Sequence, residues 1–238
     1  MYSVGLLFMM SSPSTEKTTA FALLGLTVVT GLVDAVSFLS LGRVFTANMT
    51  GNVVILAFAT ARVPGLSIAR SLTALLSFLI GAIFGGRIMA RASVESQIRF
   101  AAQAFLLEVL FLFAASLCAM GYRRELLEHS FQPFTLIALT AFAMGTRNAA
   151  VRKLAIPDLT TTVLTLTITG IGADSSPANG NNPRLARRVG AVAAMFLGAA
   201  LGAVIIRYSI SAALWLATAI SALCSAALHC SLRTSDER

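Results

Sequence analysis

The chain has 238 residues, of which 57% are hydrophobic and 12% charged, about half the roughly 25% charge of soluble domains. That composition excludes a water-soluble fold and makes the bilayer the solvent of this protein. The net charge of +8 and pI near 10.4 come from Lys and Arg spread between apolar spans, which fits loop charges that orient a membrane protein and excludes the basic face a nucleic-acid partner requires.

The first eighteen residues begin apolar but have neither a basic start nor an A-x-A cleavage site, so they are not read as a removed signal peptide. Six apolar spans follow, at 19–41, 66–90, 98–121, 132–154, 185–208 and 210–230. Each holds about 20 residues, enough to cross roughly 30 Å of hydrocarbon. Two further stretches, 44–61 and 158–171, are apolar but rich in Thr, and the second is short for a crossing. The connector 174–183 is dense in turn formers. Three cysteines, Cys118, Cys224 and Cys230, lie in or at the ends of apolar helices without metal-type spacing and are read as packing residues. His129 and His229 lack enough neighbouring ligands for a metal set, and no metal or cofactor is expected. Tyr208 and Trp215 read as interfacial anchors or packing.

Loop charges decide whether the two Thr-rich stretches cross. If all eight segments span, eight Lys and Arg fall on one side and ten on the other; if both stretches are re-entrant, the split is twelve to six. The positive-inside rule favours the second, with six crossings and both termini in the cytoplasm.

The chain also repeats itself. Gly31-x2-Asp34-Ala35, followed by Phe45-Thr46, returns as Gly145-x2-Asn148-Ala149, followed by Leu159-Thr160, offset by 114 throughout. Gly81-x3-Gly85 returns as Gly198-x3-Gly202, and such small-residue faces let helices approach closely in lipid. Repeat 1 is placed at about 19–121 and repeat 2 at about 132–230, within one membrane domain covering 1–238. Three crossings per repeat is an odd number, so the second copy must be inverted.

Polar residues inside apolar spans are the candidates for function. A charged carboxylate at Asp34 costs roughly 2.5–3.5 kcal/mol on insertion scales unless neutralised or paired. It either faces a solute pathway or caps a broken helix. Arg147 is read as its candidate counter-charge, with Glu108 as a further buried acid that either carries a proton or bonds a neighbouring helix. Thr46, Asn48, Thr50 and Asn52 in the first copy, and Asn148, Thr162 and Thr165 in the second, form an uncharged polar set. On helices Thr46/Thr50 and Asn48/Asn52 are i,i+4 pairs, as are Thr161/Thr165 and Thr165/Thr169. In an extended segment Thr46, Asn48, Thr50 and Asn52 would instead share one face. The bland reading is that threonines back-bond their own helices. No phosphate loop, nucleophile elbow or zinc helix is present, so no enzyme activity is expected.

Gly31-x2-Asp34-Ala-Val-Ser-Phe-Leu, Phe45-Thr-Ala-Asn48-Met-Thr50-Gly51-Asn52 and Ala143-Met-Gly145-x2-Asn148-Ala149 with Leu159-Thr-Thr-Thr162-x2-Thr165 resemble the YoaK-type family, domain of unknown function 1275. The resemblance runs from about Phe21 to about Cys230 and implies a bacterial inner-membrane protein without an established substrate. The chain departs from that pattern at Arg147, where an uncharged side chain is more usual.

The expectation is an all-α polytopic bundle of six crossings and two re-entrant or broken segments. It would act as a permease or secondary transporter of a small solute, with a passive channel and a non-transporting scaffold or regulatory subunit as the rival readings. Its expected partners are the lipid bilayer and that solute, and a homo-oligomer is left open.

Overall fold

The computed structural model describes residues 13–93, 96–121, 131–156, 159, 161, 162 and 164–236, with side chains from 17 to 232. Among these residues, the α-helices are α1 Pro13–Ser40, α2 Met49–Thr60, α3 Ile68–Ala90, α4 Gln97–Cys118, α5 Gln132–Leu154, α6 Thr165–Ala173, α7 Leu185–Ile205 and α8 Ile210–Asp236. All but α2 and α6 are long and apolar enough to span a membrane, giving six crossings. With 12 and 9 residues, α2 and α6 extend only about 18 and 14 Å, well short of the hydrocarbon core.

Local chemistry sets the boundaries. At the end of α1, Gly42 takes φ +99°, the left-handed region where helices stop and glycine carries no steric penalty. Ser67 caps α3 by accepting a hydrogen bond from the Arg70 N–H at 3.3 Å. Pro133 opens α5, where its missing N–H costs nothing. Ala155 ends that helix at φ 49°, and Pro157 follows in the sequence.

The core lies in three layers. Ala22 and Leu23 of α1 pack at one end with Met89, Ala101, Leu154, Ala191 and Leu228. At the other end Val36 packs with Ala74, Ala115, Leu136, Ile206 and Ile210. Successive crossings are therefore antiparallel: α1, α4 and α7 run one way, α3, α5 and α8 the other, and α1 begins at the end where α8 finishes. Between these layers, Val29, Leu32, Val33, Leu112, Ala143 and Met144 form a middle cluster with Ala47.

Ala47 belongs to neither α1 nor α2, so its place in the middle layer shows that the chain after α1 folds back into the bundle. Because α1 ends and α3 begins in the same outer layer, residues 41–67 leave and return at one end. Gly42 lies against the Arg70 side chain and Gly65 near that of Arg43, which brings the two limbs together. The counterpart segment behaves likewise at the opposite end: α5 ends and α7 begins there, and Arg188 in the first turn of α7 holds Asp174 at 2.7 Å and the Gly170 carbonyl at 2.6 Å. Both short helices are re-entrant.

Helices α1 and α5 are the most buried of the six. Each is gripped by two partners: α5 by α3 and α4, α1 by α7 and α8, while α4 also packs on α8. A Cβ added at Gly81 of α3 would lie 2.1 Å from the Phe142 carbonyl of α5, and one at Gly145 2.1 Å from the Phe78 carbonyl of α3. The other pair matches, with 2.1 Å from Gly198 of α7 to the Val28 carbonyl and 2.4 Å from Gly31 of α1 to that of Met195. Gly85 and Gly202 extend the same faces against Thr146 and Ala35. The glycine faces read from the sequence are thus where two pairs of helix backbones touch.

Candidate functional site

Asp34 sits in the last third of α1, beside the returning segment. Its Oδ1 accepts the backbone N–H groups of Thr46 at 3.0 Å and Ala47 at 2.8 Å. These N–H groups immediately precede α2, so the carboxylate lies where the partial positive charge of that helix begins. Asn48 caps α2 through its side-chain oxygen and the Gly51 N–H at 3.4 Å. Asn52 closes the fold-back: its Oδ1 accepts the Phe45 N–H at 2.9 Å while its Nδ2 donates to the Phe45 carbonyl. This two-point clamp satisfies backbone groups that an unwound segment at membrane depth cannot leave bare.

In the second half Asn148 occupies the position in α5 that Asp34 holds in α1. Its amide donates to the Met144 carbonyl at 2.8 Å, and its oxygen accepts the Thr162 hydroxyl. The N-cap position of α6 is Leu164, with no side-chain cap.

The two fold-backs meet at one cavity of about 420 Å³. Asp34, Phe45, Asn48 and Thr50 line it from the first half, and Thr162, Leu164, Thr165 and Ile168 from the second; Gly31, Gly51, Met195 and Ala199 complete the wall. The beginnings of α2 and α6 both open onto this space. Asp34 is 9% exposed, and among the described residues no side-chain cation contacts it. Phe45 stacks on Phe38 with centroids 4.9 Å apart, which fixes the ring at the wall.

The predicted Asp34–Arg147 pair is corrected by the geometry. Arg147 pairs with Glu108, Nη1 to Oε1 at 2.9 Å, and both side chains are fully buried. The guanidinium also donates to the Leu26 carbonyl at 3.0 Å and to the Thr30 hydroxyl. Thr30 donates in turn to the Thr161 carbonyl at 2.8 Å, and Ser221 donates to Glu108 Oε1 at 3.0 Å. One network therefore joins α1, α4, α5, α8 and the segment before α6. Arg147 turns away from the cavity because the residues flanking it on α5 serve other surfaces: Thr146 donates to the Gly81 carbonyl of α3 at 3.2 Å, and Asn148 holds Thr162.

Of the other predicted residues, Asp34, Asn48, Thr50, Thr162 and Thr165 line the cavity. Thr46 and Asn52 are fully buried and take no part in its wall. Asn148 stands behind Thr162. The helical i,i+4 pairing of Thr46 with Thr50 does not form, because α2 begins only at Met49, while Asn48 caps that helix and its carbonyl accepts the Asn52 N–H at 3.4 Å; Thr161 likewise precedes α6 and takes φ 60°. Asp158 and Thr160, and the connector holding His129, lie outside the described residues. The sequence reading missed Thr30, Ser221 and the apolar wall of Phe45, Ile168 and Met195. Of these only Phe45 carried a signal, by standing inside the repeated motif.

The profile of a family described as "Protein of unknown function (DUF1275)" matches residues 22–227. The "UPF0700 transmembrane protein YoaK" of Bacillus subtilis (strain 168) is 36% identical over 160 residues, covering 67% of this chain and 68% of that protein. No solved structure matches.

Proposed function

We propose, from the premise that this chain belongs to the DUF1275 family and crosses the membrane several times, that it is a permease carrying a small solute through the cavity between its two re-entrant segments. The single observation that carries this reading is the shared wall of that cavity: Asp34, Asn48 and Thr50 from one half face Thr162 and Thr165 from the other. Polar groups gathered at mid-depth, where two interrupted segments meet, fit a transport site rather than helix packing alone.

An inverted repeat is part of the proposal. The packing of α3 on α5 mirrors that of α7 on α1, and α4 on α5 mirrors α8 on α1. The corresponding helices α1 and α5 run in opposite directions, as alternating access by two inverted halves requires. The end that bears Lys17, Arg87, Arg91, Arg152, Lys153 and Arg187 is assigned to the cytoplasm of a bacterial inner membrane, which places both termini inside and Arg62 outside. A membrane-impermeant thiol reagent should label Arg62→Cys in intact cells; labelling only after lysis contradicts that orientation.

Transport itself is tested with proteoliposomes loaded with a mixed extract of bacterial small molecules, in which efflux of each solute is followed by mass spectrometry. At least one solute should leave about tenfold faster than from protein-free liposomes, and Thr165→Val should slow that efflux. Saturable counterflow would mark a carrier and unsaturable flux a channel. Efflux indistinguishable from that of empty liposomes would contradict the reading and favour a scaffold.

A further inference from the structure

The chemistry of the cavity wall narrows the solute class. We infer that the site takes a small organic ammonium compound, held by the Asp34 carboxylate with its carbon skeleton against the apolar wall; this rests on the permease reading above.

Charge is the first observation. Among the described residues Asp34 is the sole ionisable side chain lining the cavity, and no Lys, Arg or His contacts it. Its Oδ1 accepts the backbone N–H groups of Thr46 and Ala47. A buried carboxylate that no cationic side chain touches is completed by a ligand that brings positive charge and N–H donors. Arg147 reaches Asp34 only through its charge at a distance, its guanidinium being held in the pair with Glu108 and out of the cavity.

Aromatic and apolar surface is the second. Phe45 lines the same space, pinned by Phe38 and by the Asn52 clamp on its backbone. An aromatic face attracts an ammonium group electrostatically. Leu164, Ile168, Met195 and Ala199 supply an apolar surface that would contact carbon rather than water.

Size is the third. A cavity of about 420 Å³ is much larger than a bare metal ion, which needs oxygen ligands closed tightly around it, and it falls within the range of small-molecule sites. The hydroxyls of Thr50 and Thr165 and the amide of Asn48 line the same space and would bond the other end of the solute. The beginning of α6, where Leu164 has no polar side chain to cap the helix, adds partial positive charge to the wall away from Asp34. It fits a carboxylate on the same molecule, so a zwitterionic amino acid should bind at least as well as the simple amine.

The test measures binding to the full-length protein in detergent with four probes sharing one branched skeleton: 3-methylbutylamine, leucine, 4-methylpentanoate and 3-methylbutanol. Phenylethylamine and phenylalanine extend the size range. Thermal stabilisation and equilibrium binding should appear with an amine or an amino acid and be absent with the anion and the alcohol. Asp34→Asn should weaken that binding about tenfold or more. Phe45→Leu, which keeps the carboxylate, should weaken it less, and this variant keeps the inference testable if Asp34→Asn does not fold. Binding of the alcohol or the anion as tight as that of the amine overturns the inference, as does the absence of binding by every ammonium compound tried. If the efflux experiment meanwhile reveals a neutral or anionic solute, the permease reading stands and only the assignment of the ammonium class falls.

Discussion

Replacing Gly81 or Gly198 with leucine should leave almost no folded protein. A single Cβ at either position would stand 2.1 Å from a carbonyl oxygen of the facing helix, Phe142 for Gly81 and Val28 for Gly198. Backbone atoms cannot rotate aside as a side chain does, so the two helices must separate. That separation removes the dispersion contacts that hold helices together in lipid, where no hydrophobic drive replaces them. It also pulls Gly81 away from the Thr146 hydroxyl, which donates to its carbonyl at 3.2 Å. The expected loss is about 3 kcal/mol or more, a large share of the roughly 5–15 kcal/mol that holds a typical protein folded. The readout is the fraction of monodisperse protein on size-exclusion chromatography, together with its melting temperature. Gly86→Ala is the control: it is next to Gly85 in sequence, but nothing lies within 4 Å of a Cβ built there. That substitution should be neutral or slightly stabilising, since alanine favours helix over glycine by about 1 kcal/mol.

The buried ion pair has the second large effect, and its sign depends on whether one partner or both are removed. Arg147→Met alone leaves Glu108 without its cation, and Glu108→Leu alone leaves Arg147 without its anion. Each single change should cost about 3–5 kcal/mol, a fall of about 10 °C in melting temperature. The double variant Arg147→Met with Glu108→Leu should recover most of that loss. Glu108 Oε2 and Arg147 Nε have no hydrogen-bond partner among the described residues, so part of the charge is poorly compensated even in the intact pair. A double-mutant cycle measures the coupling; two additive losses would contradict the account. Because Thr30 links Arg147 to the Thr161 carbonyl, the single variants should also loosen the segment before α6, seen as faster hydrogen exchange there.

The crossings were legible because membrane spans are set by length and hydropathy, and the two fold-backs because treating 44–61 and 158–171 as re-entrant puts twelve of eighteen Lys and Arg on one side. Gly81 and Gly198 were legible for a related reason: spacing by four places small residues on one face. What a face meets is another matter. Arg147 was assigned to Asp34 because it adjoins Asn148, the residue matched to Asp34 in the recurring sequence motif, but Glu108, its actual partner, has no duplicate and stands on a helix whose rotation the sequence does not specify. Thr30 and Ser221 look like ordinary hydroxyls in apolar helices until the guanidinium and the carboxylate are placed. The roles of Thr46 and Asn52 turned on where α2 begins. With the helix starting at Met49, Asn52 reaches back to clamp Phe45, and Asp34 caps the fold-back while also lining the cavity, so the two readings of that residue are compatible.

The account rests on the two fold-backs sharing one space, and cross-linking reads that directly. With Cys118, Cys224 and Cys230 replaced by alanine, Asn48→Cys and Thr165→Cys should be joined within a single chain by a short bifunctional thiol reagent, while Asn48→Cys paired with Tyr208→Cys should not. Failure of the first pair to cross-link, with each cysteine still reacting singly, would contradict it.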